Sequence, residues 1–181
     1  MDGGRSLRFH VLGPVVAYGS DGPVALGPAR QRAVLATLLV EPGVPIFVEQ
    51  LVDRVWGEQP PTRARETLHT YLSRLRTVLD GEGRPALVRR SNGYVLEVDP
   101  AAVDLHRFRA LVGEARSATD DEAVELWRSA LALWRGAPFA DVDSDWLRAV
   151  ASGLEGSGWR PFWTATMCCC GRVSTASWCP S

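Results

Sequence analysis

PTRARETLHTYLSRLRTVLDGEGRPALVRRSNGYVLEV, residues 61–98, decides the fold. Leu68, Tyr71, Leu72, Leu75, Val78 and Leu79 recur at helical spacing and predict a buried stripe. At about 100° per residue the opposite face centres on Arg63, Glu66, Thr70, Ser73, Arg74 and Thr77, with His69 and Arg76 at its flanks. The helix is expected over Thr62–Leu79, capped by Thr62 and ending near Asp80-Gly81. Two strand-like runs follow, Leu87–Arg90 and Tyr94–Val98, around Ser91-Asn92-Gly93. Asn-Gly is a strong hairpin-turn signal because both residues tolerate positive φ. Between residues 61 and 93, Arg63, Arg65, Arg74, Arg76, Arg84, Arg89 and Arg90 face only Glu66, Asp80 and Glu82. A cationic helix followed by a cationic hairpin is the geometry of a protein that puts one element in a DNA groove and another beside it.

Upstream, Leu7–Leu12, Val15–Tyr18 and Pro23–Leu26 alternate in polarity and are broken by Gly-Pro and by Gly19-Ser20-Asp21-Gly22, the pattern of a small antiparallel meander. From Pro28 the period changes. Val34, Leu35, Leu38 and Leu39 form an apolar helical face, Pro28 suits the first turn, and Pro42-Gly43 ends the helix. Arg30 and Arg32 in its first turns read as solvated, with a phosphate contact as the alternative. Phe47–Trp56 is a shorter helix carrying Leu51, Val52, Val55 and Trp56 near one face and stopped by Gly57. The order over residues 1–100 is therefore three strands, three helices and a hairpin: an α+β winged helix-turn-helix whose C-terminal β-hairpin is the wing.

Pro100-Ala101-Ala102 marks a boundary. Beyond it Phe108, Leu111, Val112 and Ala115 repeat on one face. Ala123, Leu126, Trp127, Ala130, Leu131, Leu133 and Trp134 repeat on the next, and Asp145–Val150 starts a third helix. Residues 101–151 read as the opening of an all-α, TPR-like helical domain that is cut short, since one helical pair buries its faces poorly alone. Residues 152–181 are Gly-, Ser-, Trp- and Cys-rich without period and are expected to be an aberrant, disordered tail that does not pack on the rest. A frameshift accounts for them. Taking the last base of each codon with the first two of the next turns Trp159-Arg160 into Ala where Arg160 is encoded by CGN, Phe162-Trp163 into Leu, Trp163-Thr164 into Asp and Met167–Cys170 into Val-Leu-Leu.

Composition sets the frame. The chain has 181 residues, 46% hydrophobic and 23% charged, with net charge −1. That is globular composition without a global basic field, so any phosphate-binding surface must be local. All 20 basic residues are Arg, which reflects GC-rich codons more than chemistry. No apolar run approaches the ~18 residues of a transmembrane helix, and MDGGRSLRFHVLGP lacks a signal-peptide core, so a cytoplasmic location is expected. All four Cys (Cys168, Cys169, Cys170, Cys179) lie in the tail at spacings that match neither a zinc site nor a disulfide framework. No metal or cofactor is implied.

Single arginines on a polar helical face are ordinarily just solvated; helix, spacing and wing together, in the order a winged helix needs, give the face its direction. Arg74 is the candidate for base readout, because guanidinium can bond guanine O6 and N7 bidentately. Thr70 and Ser73 are short donors or acceptors for bases or phosphates, and Arg63, His69 and Arg76 suit phosphate. In the hairpin, Arg90 and Asn92 are placed to reach the adjacent minor groove or its backbone.

The stretches LGPARQRAVLATLLVEPGVPIFVEQLVDRVWGEQPPTRARETLHTYLSRLRTVLD and LVRRSNGYVLEVDPAAVDLHRF, with ALALWRGAPFAD at Ala130–Asp141, resemble the Streptomyces antibiotic regulatory proteins, in their AfsR-like branch, over residues 7–150. The most specific pieces are LHTYLSRLR, the NGYVL wing and ALALWRGAPFAD. The resemblance implies an OmpR-type winged-helix DNA-binding domain followed by a bacterial transcriptional activation domain. It implies double-stranded promoter direct repeats and RNA polymerase as partners, compatible with a homodimer on DNA, and activation of antibiotic and other secondary-metabolite genes. Thr62–Leu79 would be the recognition helix and Leu87–Val98 the wing. The sequence leaves the family pattern after Val150, which puts activation, rather than DNA binding, in question.

Two other classes compete. An enzyme would have to use His10, His69 or His106, and no Ser/His/Asp arrangement or carboxylate pair is suggested by their spacing. A protein-binding module would use Val103–Val150 and leave the Arg face merely solubilising. The salt dependence of DNA binding separates it from the DNA reading.

Overall fold

The computed structural model describes residues 7–80, 87–91 and 93–155. Three short antiparallel strands open the chain: β1 (Arg8–His10), β2 (Val16–Gly19) and β3 (Gly22–Val24), in the order β1-β2-β3 with Phe9 opposite Ala17 and Ala17 opposite Val24. Helix α1 (Ala29–Val40) follows, with Pro28 just before its first turn in extended conformation. Every residue from Ala33 to Val40 is buried. The sequence predicts one apolar face; the whole run is buried because α2, α3, α6 and β6 all pack on this helix. Its one polar member there, Thr37, satisfies its hydroxyl on the Ala33 carbonyl at 2.9 Å. Leu35, Leu38 and Leu39, all fully buried, each contribute roughly 1.5–3 kcal/mol by burial.

A two-residue strand, β4 (Ile46–Phe47), leads into α2 (Val48–Trp56). Sequence periodicity had assigned Phe47 to the helix; two residues are too few to show a period. Gln50 reaches back to the Phe47 amide (3.1 Å) at the helix start, and Gly57, at φ +57°, closes the other end by donating to Asp53 O at 2.7 Å. Helix α3 (Ala64–Asp80) buries Ala64, Leu68, Leu72, Leu75 and Leu79, the stripe the sequence predicts. It begins two residues after Thr62, which stands in the preceding turn rather than capping it.

Strands β5 (Leu87–Arg90) and β6 (Gly93–Leu96) form the hairpin, and β6 lies between β5 and β4. Arg90 pairs with Gly93, so Gly93 is a strand residue and not part of the turn, and positive φ falls on Ser91 (47°). What Gly93 supplies is closeness. A Cβ there would lie 2.5 Å from the Ile46 carbonyl oxygen, so only glycine lets β4 pair against β6.

A 3-10 turn at Pro100–Ala102 leads to α4 (Asp104–Ala115), α5 (Asp120–Leu131) and α6 (Asp145–Glu155). These helices share one hydrophobic core with the winged helix: Phe9, Leu12, Leu39 and Leu51 belong to the same buried cluster as Phe108, Ala130, Phe139 and Leu147. Polar clasps reinforce it. Buried Asp104 accepts from the Val11 and Leu12 amides (2.8 and 3.2 Å) and from Arg135 (2.9 Å). The Arg135–Asp141 segment wraps the Val11–Val15 turn: the amides of Arg135 and Phe139 donate to Leu12 O and Val11 O, and Asp141 accepts from Val15 N at 2.7 Å. Arg30 donates to Val55 O (2.8 Å) beside Asp143, and Arg32 pairs with Asp141 at 2.6 Å. Expected to be solvated or on phosphate, these two arginines instead hold the helical part. Their acidic partners, Asp143 and Asp141, lie more than a hundred residues away, beyond any local pattern.

The end of the described chain also differs from expectation. Packing was expected to stop at about residue 152, yet α6 runs to Glu155 and Leu154 is buried in the common core. Leu147, Val150, Ala151 and Leu154 keep helical spacing across the apparent break. The four cysteines lie outside the described residues.

Candidate nucleic-acid interface

Helix α3 is held from three sides. Its buried stripe packs on α1 and α2; Tyr71 stacks on Trp56 at 6.4 Å between ring centroids; and Arg76 Nε donates to Leu87 O of β5 at 3.0 Å. The last contact makes Arg76, half-buried, a strut between helix and wing as well as a cation beside them.

The opposite face is open. His69, Thr70, Ser73 and Arg74 are exposed along α3, and Arg63 is exposed in the turn just before it. Arg63 lies 3.8 Å from Glu66, with both side chains largely in solvent, a pairing of little energetic weight. Thr70 donates its hydroxyl to Glu66 O at 3.0 Å, leaving its oxygen lone pairs outward. Arg74 makes no hydrogen bond or ion pair among the described residues. Its guanidinium is thus available without breaking a prior contact. Arg65 is taken by Glu49 at 3.0 Å. In the wing, Arg90 is exposed and pairs with Glu97 at 2.8 Å; Asn92 lies outside the described residues.

One residue of this interface was not singled out from sequence. Tyr94, 6% exposed in β6, places its hydroxyl 3.0 Å from His69 Nδ1. The contact spans helix and wing, twenty-five positions apart, and no spacing rule announces it. Away from the interface, burial lowers the pKa of His10 and of His106 below 6.5, the first helped by Arg135, while burial raises Asp104 above 3.8 against the pull of its two backbone donors. Among the described residues no three His, Cys, Asp or Glu side chains cluster to hold a metal, and no helix is long and apolar enough to cross a membrane.

A three-helix core with an exposed third helix, a paired wing and a helical extension defines the winged helix-turn-helix class of fold, followed by a helical part. The description "Transcriptional regulatory protein, C terminal" matches residues 22–96, and "Bacterial transcriptional activator domain" matches residues 103–159. The chain belongs to the Streptomyces antibiotic regulatory protein family. It is 38% identical over 154 residues to the regulatory protein AfsR of Streptomyces griseus, covering 83% of this chain and 16% of that one. To the regulatory protein DnrI of Streptomyces peucetius it is 32% identical over 148 residues, covering 75% of this chain and 54% of that one. The solved structure of Mycobacterium tuberculosis EmbR, in complex with a low-affinity phosphopeptide, superposes with a TM-score of 0.79 at 31% identity, over 93% of this chain and 47% of that one. The chain thus spans about half of DnrI and a sixth of AfsR.

Proposed function

We propose that this chain is a sequence-specific DNA-binding activator that lays α3 in the major groove of promoter direct repeats and sets the β5–β6 wing against the neighbouring minor groove. Arg74 reads a base, Thr70 and Ser73 contact bases or nearby phosphates, and Arg63, His69, Arg76, Arg90 and Asn92 serve the backbone or groove edge. The helical part, held on the far side of α1 and α2, contacts RNA polymerase and switches on secondary-metabolite genes. Its relatives include transcriptional regulatory proteins, and residues 1–100 and 101–151 divide the work of DNA contact and activation.

The observation that carries this reading is the exposed Thr70–Ser73–Arg74 face, with Arg63 exposed just ahead of it, on a helix whose other side is buried. A bound helix must keep its position while its polar side replaces water with base edges. Footprinting on GC-rich promoter repeats tests it. Arg74→Ala is expected to cost ~1–3 kcal/mol on the cognate site and to relax preference at one base pair. Equal loss on random DNA would make Arg74 a phosphate anchor instead.

A further inference from the structure

The His69–Tyr94 contact goes beyond bracing. Tyr94 is fixed on both flanks, opposite Ile46 of β4 and Arg89 of β5, and its ring is buried. Its phenol has one hydrogen-bond partner among the described residues, His69 Nδ1 at 3.0 Å. A buried hydroxyl proton needs an acceptor. If the Tyr94 O–H donates, Nδ1 of the neutral imidazole is the acceptor and the ring proton sits on Nε2. The phenol then determines both the tautomer and the plane of the ring, which is tilted 56° to that of Tyr94.

We infer that Tyr94 is a positioning residue for DNA contact: by engaging Nδ1 it leaves Nε2–H of His69 as the outward donor, on the exposed flank of the helix beside Thr70, Ser73 and Arg74. The acceptor is an oxygen or nitrogen of the duplex, on a phosphate or a base edge. Wing and recognition helix thereby act as one reading unit, with Arg76–Leu87 as the second tie. This inference rests on the DNA-binding reading, so its test has one arm that needs no DNA.

In the first arm, long-range nitrogen–proton NMR of the free chain is expected to show His69 with an unprotonated Nδ1 and a protonated Nε2, and Tyr94→Phe to give a mixture of tautomers. A protonated Nδ1 in the unsubstituted chain, or an unchanged tautomer in Tyr94→Phe, overturns the inference. In the second arm, Tyr94→Phe is expected to weaken cognate binding about threefold to tenfold, the worth of one hydrogen bond. His69→Ala should lose at least as much, the double variant no more than His69→Ala alone, and His69→Gln, whose amide nitrogen can occupy the Nε2 position, should recover part of the loss. Additive losses would show that the two residues act separately and overturn it. Comparison with random duplex separates the acceptors: equal loss on both assigns a phosphate, loss on the cognate site alone a base. A urea midpoint for Tyr94→Phe near that of the unsubstituted chain shows that the fold is retained. If the unsubstituted chain binds no duplex while the tautomer is as expected, the DNA-binding reading fails, and the positioning role in DNA contact with it.

Discussion

Replacing Asp104 by Ala should unfasten the helical part from the N-terminal sheet. The carboxylate, 4% exposed, accepts from the amides of Val11 and Leu12, residues with no exposed surface, and from Arg135. Alanine leaves two buried N–H groups without acceptors, at roughly 1–3 kcal/mol each. Arg135, whose side chain is 34% exposed, can turn to water and adds little. Against this stands the cost of burying the carboxylate, visible in its raised pKa, which the substitution relieves. The expected net loss is about 2–4 kcal/mol. Asp104→Asn retains one acceptor oxygen and should fall between. Urea unfolding at pH 7, followed by both tryptophan fluorescence and far-ultraviolet circular dichroism, gives the value. Because one core joins both parts, the two probes should coincide in a single transition. A loss under about 1 kcal/mol, or an Asn variant as stable as the unsubstituted chain, would refute the argument that Asp104 is a required acceptor.

Two further predictions concern acid and the wing. Burial depresses His10 and His106 below 6.5, so the unfolded chain takes up their protons first; stability is full above about pH 7 and is lost as pH falls through 6.5 towards the depressed folded values. Asp104, raised above 3.8, acts in the opposite sense at lower pH: its cost to the fold fades as pH falls through the raised value. Urea midpoints at pH 7.5 and 5.5 should show the histidine loss, and His10→Gln/His106→Gln should flatten it; an equal slope in the double variant would contradict the assignment. Gly93→Ala would bring a Cβ to 2.5 Å from Ile46 O, so β4 must shift away from β6, at a cost of about 1–3 kcal/mol, with weaker DNA binding through the displaced Tyr94. Unchanged stability by thermal melting would show that the strand yields easily.

The recognition helix was legible because one face of a surface helix is buried and the other is not, and this fixes the period of Leu68, Leu72, Leu75 and Leu79. The hairpin was legible from its turn residues, but its register was not. The Asn-Gly signal pointed to a glycine in the turn, whereas Gly93 serves the approach of a third strand. Strand β4 was too short to carry a pattern. The clasps were invisible for a different reason. Arg30, Arg32 and Asp104 look like ordinary surface charges until the fold brings Asp143, Asp141 and the Val11–Leu12 amides to them. The ALALWRGAPFAD segment stood out as a motif, yet only the structure shows its latter half wrapped on the Val11–Val15 turn. The same holds for Tyr94: its place in a strand-like run was readable, its partner on the helix was not.

The salt dependence of DNA binding tests the central claim most directly. With Arg63 exposed just before α3, Arg74 on it and Arg90 in the wing, three phosphate or groove contacts give a slope of log K against log salt of about −2.7, steeper if Arg89 or Arg76 joins them. The account predicts tight binding to a promoter direct repeat with a slope at least that steep, and a slope shallower by about 0.9 for Arg90→Ala if Arg90 contacts a phosphate. Binding that is indifferent to salt, or no binding to any duplex repeat, would contradict it.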